Sequence, residues 1–280
     1  MKTTISVICE NTVKKGSGLH AEHGLSMLIQ QDENILLDTG QSNMLLHNMN
    51  IMGIKPDSID RVVISHGHYD HTGGLLAFLN NRIAETPVYV HPDAFTRRAA
   101  VTEDNGKVRA VDIGMQYPYN LLEETGGNIQ FIRESAIISE YITAVNEIPR
   151  PAGWVSWDSR LMWEQDGVFV PDPFNDDTSL LINTDSGPVV CSGCAHVGIV
   201  EIIERIAELK GLKEIYAVLG GTHLATAPES YILKAVDTFS RFNVQLIAAN
   251  HCTGETIAQR LSEYFPRQFV KASAGTVLEF

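Results

Sequence analysis

Apolar positions along this chain fall in short runs rich in Ile, Val and Leu. They are too brief for helices, and they predict strands at Thr4–Glu10, Ser26–Gln30, Asn34–Asp38, Arg61–Ser65 and Pro87–His91. Leu75, Leu76, Phe78 and Leu79 recur at helical spacing, which predicts a helix over Thr72–Asn80. From about Thr178 the pattern resumes. Ser179–Thr184 and Pro188–Cys191 read as a hairpin turning at Asp185-Ser-Gly187. Helical stretches at Val197–Lys210, Ser230–Phe242 and Glu255–Tyr264 then alternate with strands at Glu214–Leu219 and Val244–Ala249. Two similar halves of alternating strand and helix predict an α/β protein with helices outside its sheets. Between the halves, at about 94–177, periodicity is weakest, Gly and Pro are frequent, and Trp154, Trp157 and Trp163 all occur. This stretch reads as an insert. Its aromatics either bury it against the body or wall a pocket.

Composition narrows the class of protein. With 280 residues, 44% of them hydrophobic, the chain can bury a substantial core. The N-terminal residues carry no cleavable signal pattern, and no apolar stretch approaches the roughly 20 residues of a membrane helix. The expectation is therefore a cytoplasmic protein with no membrane partner. A formal net charge of −13, with no offsetting Lys/Arg stripe, would repel a polyanion. Nucleic acid is excluded as a partner on that ground, and a small-molecule substrate is expected. Cys9, Cys191, Cys194 and Cys252 include one CxxC pair. One pair cannot close a tetrahedral zinc site, so free and mostly buried thiols are expected.

The chemistry concentrates directly after the fourth strand, where residues 65–74 read Ser-His-Gly-His-Tyr-Asp-His-Thr-Gly-Gly. A strand delivers its end to one edge of a sheet, and a tight turn at Gly67 lets alternate side chains converge. His66 and His68 can then grip one ion, while Asp70 and His71 face the other side and can grip a second. Imidazole nitrogen and carboxylate oxygen suit zinc, iron or manganese. Chance clustering of turn formers and helix caps is the competing explanation, and the scarcity of histidine argues against it. Three further histidines, His196, His223 and His251, each end an apolar strand-like run, and strand ends converge.

The run matches the HxHxDH signature at every fixed position, and the chain resembles the metallo-β-lactamase superfamily. Within it, the chain is similar to the subgroup of 7,8-dihydropterin-6-ylmethyl-4-(β-D-ribofuranosyl)aminobenzene 5′-phosphate synthases and their bacterial relatives. The matching pieces are Ala-Glu-His-Gly-Leu-Ser at 21–26, Leu-Leu-Asp-Thr-Gly at 36–40, the central motif, Ser-Gly-Cys-Ala-His-Val-Gly-Ile at 192–199, Gly-Gly-Thr-His-Leu at 220–224 and Asn-His-Cys-Thr-Gly at 250–254. The resemblance implies one domain over 1–280, folded as an αββα four-layer sandwich with its site at one edge.

Carried over by residue, it places His66 and His68 on a first ion, and Asp70, His71 and His251 on a second. Two ligands depart from the superfamily's pattern. The loop Pro173-Phe-Asn-Asp-Asp-Thr178 lacks a histidine, and the usual Gly-Asp pair reads Gly193-Cys194. His196 is expected to replace the missing imidazole, with Cys194, Asp176 or Asp177 as fallback. Asp38 is expected to accept from a ligand imidazole N–H. His223 either donates to an oxyanion or phosphate or is structural. His23, beside Glu22, either touches substrate or orders its loop. His20, His47 and His91 are expected to be ordinary packing or surface histidines. The Gly-Ser-Gly at 16–18 is too weak for a phosphate loop.

The resemblance implies a dinuclear metal-dependent hydrolase of a small, phosphate-containing ester. It would hold two divalent ions, zinc first with manganese or iron as alternatives, and attack through a metal-bound hydroxide oriented by Asp70. The alternative is a dihydropterin-transferring synthase that displaces diphosphate. Redox chemistry of the flavodiiron type is disfavoured by His68, where those relatives carry a carboxylate. A non-catalytic sensor is disfavoured by the intact motif.

Overall fold

The structure, a computed structural model, describes residues 2–150 and 153–280. Two large sheets carry it. The first has seven strands in the order Val277–Glu279, Thr4–Cys9, Ser26–Gln30, Asn34–Leu37, Arg61–Val63, Thr86–Val90 and Gly127–Phe131. Its pairings are antiparallel as far as Asn34–Leu37 and parallel beyond. The second has six strands, ordered Leu246–Asn250, Ala217–Gly221, Gly187–Ser192, Ser179–Thr184, Ile142–Val145 and Ala136–Ile137.

Strand periodicity explains how the sheets stack. Side chains alternate between faces. Accordingly Ile5, Val7, Met27, Ile29, Ile35 and Leu37 meet Leu180, Ile182, Val189, Cys191, Ala217 and Leu219 in one core between the sheets. The intervening Ile8, Leu28, Leu36 and Val62 face the other way, against Leu45 and Met49 of helix Met44–Ile51 and Leu75, Phe78 and Leu79 of helix Leu75–Asn80. On the second sheet Leu181, Val190, Val218 and Ile247 pack under helices Ile199–Lys210, Glu229–Arg241 and Glu255–Tyr264. Strands buried on both faces read as continuous apolar runs. The result is the four-layer αββα sandwich.

Several elements differ from their expected form. The helix expected over Thr72–Asn80 is split into Tyr69–Thr72 and Leu75–Asn80. The break lies at Gly73 and Gly74, where a Cβ would sit 2.1 Å from the carbonyl oxygens of Gln41 and Thr39 respectively. The loop after Leu37 therefore presses directly on the motif backbone. The hairpin at Ser179–Ser192 forms, with Thr184 paired to Gly187 across its turn.

The stretch 94–177 divides among three places. Gly127–Phe131 extends the first sheet, while Ala136–Ile137 and Ile142–Val145 extend the second. Only Arg98–Asp104, Lys107–Asp112, Leu161–Gln165 and Val168–Pro171 form a separate four-stranded antiparallel sheet. Its two hairpins turn at Asn105-Gly106 and Asp166-Gly167, all four residues having positive φ. That dipeptide chemistry is a hairpin signal which reading the stretch as an irregular insert passed over. Helix Met44–Ile51 and the C-terminal strand Val277–Glu279 were likewise not expected.

Candidate metal centre

The motif leaves strand Arg61–Val63 and enters helix Tyr69–Thr72, so its side chains emerge at one edge of the first sheet. Across the gap, the ends of the strands Gly187–Ser192, Ala217–Gly221 and Leu246–Asn250 lead into His196, His223 and His251. Six of the residues expected to bind metal converge there. His66 Nε2 lies 3.1 Å from His68 Nδ1 and 3.3 Å from His196 Nε2. On the other side His71 Nε2 lies 3.1 Å from His251 Nε2, and Asp70 Oδ2 lies 3.3 Å from His251 Nε2 and 3.8 Å from His71 Nε2. Cys194 Sγ sits 3.2 Å from His71 Nε2 and clusters with both His66 and His71, linking the two groups.

Asp176 and Asp177, the expected carboxylate fallback, fall in none of the donor groups found among the described residues, although Asp177 Oδ1 is buried without a hydrogen-bond partner. Asp176 accepts from Gly67 N at 2.8 Å and from Arg98 Nη2 at 2.8 Å, and Asp177 accepts from Val197 N at 2.9 Å.

The candidate ligand rings are held from behind. Asp38, in a left-handed backbone conformation (φ 60°), accepts from His71 Nδ1 at 2.6 Å, which leaves Nε2 facing the cluster. The same carboxylate accepts from Ser65 N and Ser65 Oγ, and that hydroxyl lies 2.9 Å from His66 Nδ1. Asn11 Oδ1 is 2.8 Å from His251 Nδ1, and Glu10 accepts the His251 backbone N–H. Phe174 stacks on His196, with centroids 4.2 Å apart and planes 5° from parallel.

Burial pushes His66 and His196 well below the ordinary histidine value and His68 down to about 3, so all three are neutral with lone pairs available. Burial acts the same way on His71, but the carboxylates of Asp38 and Asp70 reverse it and raise His71 to about 9. For Asp70 burial works upward and is overcome by His71, His23 and His251, which hold the carboxyl well below its usual range. Buried neutral imidazoles whose nitrogens face one another at about 3 Å are spaced as ligands around a shared cation would be. The donor set of imidazole, carboxylate and thiol suits a borderline divalent ion such as zinc.

A pocket of about 360 Å³ opens onto His68, Asp70, Cys194, His196 and His251. His223 lines it, with its ring centroid 4.2 Å from that of His196. The three tryptophans do not. Trp154 packs against the helix-side core of the second sheet, Trp157 donates to the His223 carbonyl and lies tilted against Tyr231, and Trp163 lies in the small sheet. The wall over the clustered side chains comes instead from Ala100, Ile113, Asp158, Arg160 and Leu161. Sequence reasoning missed these because nothing local marks them. Of the remaining histidines, His20 and His47 pair with each other at 4.5 Å and His91 accepts from Asp93 N. All four cysteines are free, Cys252 being the least buried.

Fold and site together define a metallo-β-lactamase-type protein. Residues 21–206 match the metallo-beta-lactamase superfamily, and the chain belongs to it. It is 29% identical to a 7,8-dihydropterin-6-methyl-4-(beta-D-ribofuranosyl)-aminobenzene-5'-phosphate synthase of Methanocaldococcus jannaschii, covering 99% of this chain and 96% of that one. A second, uncharacterized protein of the same organism is 30% identical over 98% of this chain and 99% of its own length. Among solved structures, Tm1679, a metal-dependent hydrolase of the beta-lactamase superfamily, superposes with a TM-score of 0.83 at 29% identity over 99% of both chains.

Proposed function

We propose that the chain is a dinuclear metal-dependent hydrolase acting on a small, phosphate-containing ester. The observation that carries this is two sets of donors side by side, His66, His68 and His196 next to Asp70, His71 and His251, with Cys194 between them, of which His68, Asp70, Cys194, His196 and His251 line one pocket. These residues would hold two divalent ions, zinc by preference, with manganese or iron as alternatives. Bound there, the ions supply Lewis acidity and lower the pKa of water toward about 7. Asp70, whose Oδ2 already gathers three imidazoles, would orient the attacking water. His223, at the pocket wall, donates to the developing negative charge. Ala100, Ile113 and Leu161 present an apolar face that excludes bulk water. Two divalent charges dominate the local field, so an anionic substrate is compatible with the acidic surface.

A small molecule as substrate and a cytoplasmic location complete the reading. No helix among the described residues is long and apolar enough to cross a membrane. Four free cysteines accord with a reducing compartment.

The full-length similarity to the dihydropterin synthase supports a second reading, in which the same ions grip a diphosphate leaving group while an aminobenzene ribotide attacks. Metal analysis followed by assay of phosphomonoesters, phosphodiesters, lactones and thioesters tests the first. Two ions per chain and turnover of a phosphoester are expected. Full metal loading with no hydrolysis, and diphosphate release only when the ribotide acceptor is present, would replace it with the second.

A further inference from the structure

We propose that His23, a half-exposed imidazole on the loop before strand Ser26–Gln30, is a protein ligand of the second ion. This rests on the dinuclear reading. His23 Nε2 lies 3.2 Å from Asp70 Oδ2, and the ligand atoms of His23, Asp70 and His251 all fall within 4.8 Å of one another. With Zn–N and Zn–O distances of about 2.0–2.1 Å, two ligands of a tetrahedral ion are separated by about 3.3 Å. The contacts of Asp70 Oδ2 with His23 and His251, at 3.2 and 3.3 Å, have that spacing.

An imidazole with 56% of its side chain exposed can also meet a carboxylate as an ordinary surface pair. The backbone around His23 argues against that. Glu22, on one side, accepts from Gln41 N at 3.0 Å and Ser42 Oγ at 2.6 Å. Gly24, on the other, has φ +156°, and a Cβ there would lie 2.6 Å from the Asp70 carbonyl oxygen. Leu25 N donates to that same carbonyl at 3.1 Å. The Asn11 carboxamide oxygen accepts from Gly24 N at 3.3 Å and touches His251 Nδ1 at 2.8 Å, so one side chain fixes both the loop and a ligand ring. The loop is therefore built onto the ligand-bearing backbone, and His23 is aimed by it.

The consequence is an asymmetric centre. His23, Asp70, His71 and His251 would offer the second ion four protein ligands, whereas His66, His68 and His196 would offer the first three. His23 is the most exposed of the four residues around the second ion, with 56% of its side chain open to solvent.

Titration of the metal-free protein with Co²⁺, read by its visible absorption, and with Zn²⁺ against a chromophoric chelator tests the assignment in wild type and His23→Ala. Two equivalents are expected in wild type. In the variant the first should bind unchanged, and the second should weaken at least about ten-fold with altered Co²⁺ bands, which added imidazole restores. Because His23 is exposed, thermal melting should not change. Two equivalents bound by the variant as tightly as by wild type, with identical bands, would overturn the assignment and leave the dinuclear reading standing. The assignment also fails if affinity drops but the bands are unaltered and imidazole has no effect, since the residue then only orders its loop. A wild-type chain that binds a single equivalent would overturn both.

Discussion

Replacing Arg98 with Met should destabilise the protein by about 3–5 kcal/mol, the cost of leaving a buried charge without its partner. Arg98 is 1% exposed and lies on the small sheet. Its Nε donates to Asp172 at 2.6 Å and its Nη2 to Asp176 at 2.8 Å, both carboxylates being buried, while Nη1 reaches the carbonyl oxygens of Asp93 and Thr96. Methionine fills comparable space, so the loss isolates charge and hydrogen bonding from cavity formation. An unfolding entropy of about 2.1 cal/mol/K per residue gives about 0.6 kcal/mol/K for this chain, so Tm should fall by about 5–8 °C.

The deficit must also depend on pH. Burial already holds the Asp172 carboxyl above its ordinary value against the opposing pull of Arg98. Without the guanidinium it rises further. A carboxyl whose folded pKa exceeds its unfolded one destabilises the fold above the unfolded pKa of about 3.9, and that penalty shrinks as pH falls toward it. Urea denaturation of both proteins from pH 7.5 to 4.5 therefore should show the gap narrowing as acid is added. The double variant Arg98→Met, Asp172→Asn should recover part of the loss. A gap below about 1 kcal/mol, or one that stays flat with pH, would refute the claim that Arg98 compensates buried carboxylates. The effect should also reach the centre, because Asp176 is the acceptor for Gly67 N between His66 and His68.

Removing the carboxylate of Asp38 with Asp38→Ala leaves His71 Nδ1 and Ser65 without their acceptor, and chelator competition should show metal affinity reduced about 10–100-fold. Unaltered affinity would mean that Asp38 does not orient the ring. The metal-free protein should be most stable near pH 6.5. Below that value the unfolded chain takes up protons that buried His66, His68 and His196 refuse, at about 1.4 kcal/mol per pH unit for each. Above it, the stability that protonated His71 contributes is lost as pH rises toward about 9. Urea midpoints across pH 5 to 9 should form a peak, and a monotonic profile would contradict the burial of these imidazoles in neutral form.

Sequence by itself determined an α/β protein with helices outside its sheets, and the resemblance supplied the four layers. Ile5 and Val7 alternate with Ile8, and Val189 and Cys191 alternate with Val190, and a two-residue period allows one stacking of sheets and helices. It also gathered His66, His68, Asp70 and His71, because six consecutive positions after a strand end cannot lie far apart. The turn chemistry of Asn105-Gly106 and Asp166-Gly167 is also in the sequence, but reading 94–177 as an irregular insert passed those hairpins over.

Tertiary structure alone decided the rest. His196 and His251 follow strands whose order in the sheet no local pattern reveals, and only that order brings their nitrogens within about 3 Å of the motif. Arg98 meets partners 74 and 78 positions away, and His23 meets Asp70 through a glycine whose necessity lies in the backbone it must pass. Short-range periodicity encodes which face of an element is buried. Which elements share an edge depends on free-energy differences summed over the whole packed core, and those fix the chemistry of the centre.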